Sequence, residues 1–214
     1  MSCIVLRRSM NEQTSNCFRN LRDDFLDATI HTKDKTFKVH RIVMAANSEY
    51  FETMFKAKFK ESNGIVEMKD MNSTLFECIL EFVYTGTCTV ASAQLCDLLR
   101  CVHLCAFKEL QHVIENSMLN NLNESQKKDK VSVLSLIDAL VLAGTFGLLA
   151  FESAAIHYIC KDMSGLRIAV LHDETCISKV THDQIKKILC DAENLECSES
   201  ALFNIAKAWI SSQS

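Results

Sequence analysis

Residues 40–55, reading HRIVMAANSEYFETMF, constrain the fold of this chain more than any other stretch. The apolar positions Ile42, Val43, Ala45 and Ala46, then Tyr50, Phe51, Met54 and Phe55, recur at three- and four-residue spacing. That spacing predicts two short amphipathic helices. Asn47-Ser48-Glu49 divides them, because Asn and Ser side chains bond backbone N–H groups more readily at a helix cap than inside a helix. The product is a compact helical hairpin with a thick aromatic face.

The flanks give this hairpin its setting. Residues 27–32 and 36–39 alternate polar and apolar side chains around the turn Lys33-Asp34-Lys35, which predicts a strand hairpin. A third short strand is expected at 65–68, after Asn63-Gly64. Residues 73–84 carry one apolar stripe (Leu75, Phe76, Ile79, Leu80, Val83, Tyr84) behind an Asn72-Ser73 cap, and Gly86 ends the helix. Further helices are predicted at 93–106 and 110–122, and a short one at 18–24. Residues 1–17 lack periodicity and are expected to form a flexible tail. The polar run NNLNESQKKDK at 120–130 is the clearest composition break in the chain. Beyond it the pattern is helical, at 131–143, 148–159, 168–171, 181–190 and 198–210, with no strand signal of comparable quality.

Composition narrows the function. With 214 residues the chain has room for one large or two small domains. A net charge of −4 and a pI near 6.0 supply no clustered positive charge for nucleic acid or an anionic membrane surface. No run of 18 apolar residues is present to cross a bilayer. The short apolar run from Met1 to Leu6, followed by Arg7-Arg8, does not fit a secretory signal. Zero prolines and 5 glycines favour a mostly helical chain. The 11 cysteines are odd in number, scattered, and never spaced Cys-x-x-Cys, as expected for reduced thiols packed as small hydrophobes in a cytosolic protein.

Cys101, His103 and Cys105, with Cys96 nearby, are the one metal-like cluster in the sequence. On a helix, however, His103 points roughly 200° from Cys101, so the ligands diverge and no metal or other cofactor is expected. Cys160 beside Lys161 leaves a redox-sensing thiol open. No Gly-x-Ser-x-Gly elbow, His-Glu-x-x-His pair or glycine-rich phosphate loop occurs, so the chain is not expected to be an enzyme.

Taken in order, Phe25-Leu26-Asp27-Ala28-Thr29-Ile30, Thr36-Phe37-Lys38-Val39, His40-Arg41, the helical hairpin, Phe59-Lys60-Glu61-Ser62, Phe76 and Tyr84-Thr85-Gly86 resemble a BTB/POZ domain. The second half resembles a BACK domain, the helical module after BTB in Kelch-like adaptors, through Ala143, Ala155, Tyr158, Ile185, Ile188, Leu189, Leu195, Glu199, Phe203 and Trp209. It departs from that module in reading Ser135-Leu136-Ile137 after a lengthened linker, and in stopping at Ser214. No glycine-paired Kelch repeat is present. The resemblance implies an α+β BTB/POZ domain at 18–122, a linker at 123–132, and an all-α BACK domain at 133–214 that is C-terminally incomplete.

The resemblance also implies a function: a homodimeric, non-catalytic adaptor that brings an unknown ubiquitination substrate to a cullin-three RING ligase, in the cytoplasm or also the nucleus. Phe59 and Glu61 would meet the cullin, an apolar anchor fixing position and a nearby acid fixing register. The alternative is that Phe59 caps the domain's own core and Glu61 is solvated. Tyr84 is a further cullin contact in the family picture, although its apolar stripe suits a core role nearly as well. Leu21, Phe25 and Ala45 would supply the dimer face. Asp27 and Arg41 would form a structural charged pair, since a buried acid needs a partner. The rival reading is the oligomerisation module of a transcription regulator that recruits corepressor peptides.

Overall fold

The computed structural model describes residues 3–8, 24–56, 63–126, 133–162, 166, 177–193 and 199–213. They fall into two compact units that divide between Ile114 and Glu115. The first unit is α+β, and the second is helical throughout its described residues.

In the first unit, β2 (Ala28–His31) and β3 (Thr36–Val39) form the antiparallel hairpin, with Ala28 opposite Val39 and His31 opposite Thr36. β4 (Ile65–Glu67) joins the other edge of β2 in parallel. Gly64 sets up that joint: its φ is +90°, its carbonyl accepts from Thr29 N–H at 2.7 Å, and a Cβ there would stand 2.8 Å from the Asp27 carbonyl oxygen. Only glycine tolerates both demands.

The hairpin helices are α1 (Arg41–Asn47) and α2 (Glu49–Phe55), divided at Ser48 as the capping argument requires. Ser48 Oγ accepts from Phe51 N–H at 3.1 Å and donates to the Cys105 carbonyl at 2.6 Å, so one buried hydroxyl caps α2 and ties it to a distant loop. Phe51 is fully buried, with its ring centroid 5.9 Å from those of Phe55 and Phe107 and 6.4 Å from that of Phe76. An aromatic at the centre of such a cluster gains contact energy beyond its buried area.

α3 (Ser73–Thr85) starts at Asn72, whose side chain accepts from Thr74 and Leu75 N–H, and ends at Gly86 with φ +77°. α4 (Leu95–Leu104), preceded by a 3₁₀ turn at Ser92–Gln94, and α5 (Lys108–Gln126) follow. α5 carries the helix through the first part of the polar 120–130 run, up to Gln126.

The N-terminal residues correct the sequence reading. Cys3–Arg7, expected within a flexible tail, forms strand β1 and pairs antiparallel with β5 (Thr87–Ala91), from Cys3 opposite Ala91 to Arg7 opposite Thr87. Leu6 is buried. The Arg8 guanidinium donates to Asn47 Oδ1, Glu109 Oε2 and the Val83 carbonyl, and lies 5.4 Å from the Phe82 ring centroid. A two-strand ribbon anchored by one leucine and one arginine leaves too short an alternation to read from either strand alone. The predicted 18–24 helix, apart from Asp24, and the 168–171 helix lie outside the described residues.

The second unit contains α6 (Val133–Phe146), α7 (Leu149–Lys161), α8 (His182–Glu193) and α9 (Glu199–Ser212). Leu140, Ala143, Leu148, Ala155, Ile159, Leu166 and Ile205 are fully buried in it. α7 begins without a cap of its own. Glu115 Oε1 on α5 fills that role, accepting from Ala150 N–H at 2.8 Å and Phe151 N–H at 3.2 Å. α8 opens on a reciprocal cap: Thr181 Oγ1 accepts from Gln184 N–H and Gln184 Oε1 accepts from Thr181 N–H, while Gln184 Nε2 donates to the Leu140 carbonyl.

Candidate functional site

The residues singled out in the sequence meet very different fates. Phe59 and Glu61, expected at the cullin, and Leu21, expected at the dimer face, lie outside the described residues. Tyr84, expected at the cullin, is a core residue in this structure. It is 2% exposed, and its hydroxyl is committed to His40. His40 N–H donates to Tyr84 Oη at 3.0 Å, and Tyr84 Oη meets His40 Nδ1 at 2.9 Å. His40 Nε2 lies 2.5 Å from the Asp24 carbonyl, which has no proton to give, so Nε2 carries a hydrogen and donates it there. A side chain so engaged has no face left for a partner.

Asp27 and Arg41 do meet, though not through two opposed charges. Asp27 is exposed, and its Oδ1 accepts from the backbone N–H of Arg41 at 2.7 Å, at the start of α1. That placement satisfies an orphan donor and favours negative charge. The Arg41 guanidinium instead donates to the Phe55 carbonyl at 3.0 Å and stands 5.2 Å from the Phe55 ring centroid. The expected buried acid is therefore a solvent-exposed helix cap.

Two exposed apolar side chains flank this cap in sequence. Phe25 is 84% exposed and Ile42 77% exposed, while Ala45 on the same helix is half-buried. Phe25 also has φ of +60°, a conformation that costs energy for a bulky residue. Large exposed apolar side chains gathered near a helix start are of the kind that mark an association surface.

On another side of the first unit, α2, the connection from β4 to α3, and the end of α4 enclose a half-open hollow of about 330 Å³. Tyr50, Met68, Met71, Cys101 and Cys105 line it, with Glu67, Lys69 and Asp70 contributing charge. Burial pushes the Cys101 thiol above its ordinary range, helped by Asp97, and pushes Cys105 up to about 12. Both thiols are therefore protonated at neutral pH. The sequence shows Cys101 and Cys105 four residues apart but gives no sign of Met68 and Met71, because only the fold brings that turn alongside α4.

Cys160, open as a redox sensor, is buried, with its Sγ donating toward the Ile188 carbonyl at 3.5 Å. Among the described residues, no group of three or more His, Cys, Asp or Glu side chains is arranged to hold a metal ion. No helix among them is long and apolar enough to cross a membrane.

Comparison with known proteins places the first unit. The BTB/POZ domain family matches residues 18–122. Protein abrupt of Drosophila melanogaster is 37% identical over 98 residues, 45% of this chain and 11% of that protein. Kelch-like protein 38 of Danio rerio is 29% identical over 100 residues, 46% of this chain and 17% of that protein. Zinc finger and BTB domain-containing protein 14 of Gallus gallus is 34% identical over 86 residues, 40% of this chain and 18% of that protein. The chain thus spans under a fifth of the length of each of these relatives.

Proposed function

With residues 18–122 forming a BTB/POZ domain as the premise, we propose that this chain is a homodimeric, non-catalytic adaptor that recruits substrates to a cullin-three RING ubiquitin ligase. The observation that carries the reading is the run of helices α6–α9 after the domain, in which Ala143, Ala155, Ile185 and Ile188 are buried. A match to a Kelch-like protein supports it as well. In this reading Phe59 anchors the cullin and Glu61 sets the register, both in the connection from α2 to β4. The exposed Phe25 and Ile42 are covered by a second copy. The protein works in the cytoplasm or also the nucleus, and its substrate is bound through a receptor region outside this chain.

The rival reading is an oligomerisation module of a transcription regulator, favoured by the 34% identity to a zinc finger and BTB domain-containing protein. Calorimetric titration with the N-terminal domain of cullin-three separates the two. The adaptor reading expects binding by the wild type and about a thirtyfold loss in Phe59→Ala, as for an aromatic anchor worth about 2 kcal/mol. Glu61→Ala should lose less, and both variants should keep the wild-type melting temperature and dimer. No binding by the wild type puts the corepressor reading ahead. Unfolding of Phe59→Ala makes Phe59 a core residue.

A further inference from the structure

The hollow beside α4 brings together four sulfur-bearing side chains from two separate segments. Cys101 and Cys105 stand one helical turn apart and line the same hollow. Met68 and Met71 come from the turn after β4, which is closed by Met71 N–H donating to the Met68 carbonyl at 2.9 Å. The Cys105 backbone is fixed from both sides, its N–H donating to the Cys101 carbonyl at 3.1 Å and its own carbonyl accepting from Ser48 Oγ. Ala106 follows with φ of +51°, strained for a residue with a side chain, and strain of this kind persists only where its surroundings enforce it. The position of the Cys105 backbone at the end of α4 is thereby fixed by the fold.

We propose that this hollow binds copper(I), held by the Cys101 and Cys105 sulfurs and completed by the thioethers of Met68 and Met71. Thiolate and thioether donors are the set that selects this soft monovalent ion. Zinc is disfavoured, because it takes thiolate, imidazole or carboxylate ligands in a closed tetrahedron. His103, the obvious third ligand in the sequence, is not among the lining residues and has its Nδ1 3.4 Å from Gln111 Oε1.

On binding, two S–H bonds break and two copper–sulfur bonds form. Two protons leave to solvent, and copper stays in the +1 state. The centre then carries one negative charge, which the Lys69 ammonium at the rim offsets, while Glu67 and Asp70 favour approach of the cation.

The test is an anaerobic titration of the full reduced chain with copper(I), competed by the chromophoric chelator bicinchoninate. Since the chain has 11 cysteines, the comparison with variants is decisive. Wild type should withhold one equivalent more than Cys101→Ser, with a near-ultraviolet thiolate-to-copper band that Cys101→Ser lacks. Met68→Leu/Met71→Leu should keep that equivalent but hold it about tenfold more weakly. Cys101 is only half-buried, so Cys101→Ser should fold, as a melting curve would verify, and it keeps the test valid if Cys105→Ser does not. Equal copper affinity and stoichiometry in wild type and Cys101→Ser would overturn the proposal. So would an unchanged affinity in the double methionine variant.

Discussion

Tyr84 shows how much one side chain can hold. Its hydroxyl bridges the backbone and ring of His40 at the start of α1, and its ring is buried on α3. Tyr84→Phe keeps the ring and removes the acceptor of the part-buried His40 N–H, so it should lower stability by about 1 kcal/mol, the usual value of one hydrogen bond, read from a urea unfolding midpoint. Cys88 makes a second residue-scale prediction. Burial, with Cys78 and Glu81 nearby, raises its thiol from 9.0 to about 12. Above pH 9 the unfolded chain loses this proton while the folded chain keeps it, so stability falls as pH rises from about 9 to 12. The slope is on the order of 1 kcal/mol per pH unit. Unfolding midpoints at pH 8 and 10.5 should show a loss that Cys88→Ala reduces; an identical loss in both proteins would assign the effect to other groups.

At the scale of elements, caps matter most where they come from another part of the chain. α7 relies on Glu115, a residue on α5, for its first N–H groups. Glu115→Ala should cost about 1 kcal/mol, the usual value of a helix cap, and thermal unfolding would detect it. This tie also marks what could and could not be read from the sequence. Ser48 and Asn72 announce the starts of α2 and α3 locally, and the apolar stripes of α3 and α4 give their buried faces. Glu115 carries no local sign of its role, since the N–H donors it accepts from lie 35 and 36 residues away. β1 and β5 were illegible for a similar reason, each having the other as its partner. Family pattern turns Tyr84 outward, while its burial and its bonds to His40 make it structural; Asp27, expected as the buried half of a charged pair, is an exposed acceptor at the start of α1. Phe203 and Trp209 divide in the same way. Trp209 is half-buried, with its indole donating to the Val180 carbonyl at 2.8 Å, whereas Phe203, which also carries the BACK resemblance, is 67% exposed.

For the whole molecule, the exposed Phe25 and Ile42 predict association. Light scattering at micromolar concentration should return twice the 24.2 kDa of one chain, and Ile42→Asp should return a folded monomer. A 24.2 kDa wild type would remove the dimer from the proposed function.

The pairing of Cys3–Arg7 with Thr87–Ala91 bears on how the protein is made. A ribosome adds roughly 5–20 residues per second. The opening strand therefore waits about 4–18 s after its own synthesis before Ala91 exists to pair with Cys3. During that interval Ile4, Val5 and Leu6 form an unclaimed strand on a nascent chain, the kind of segment that chaperones hold and that neighbouring nascent copies can capture.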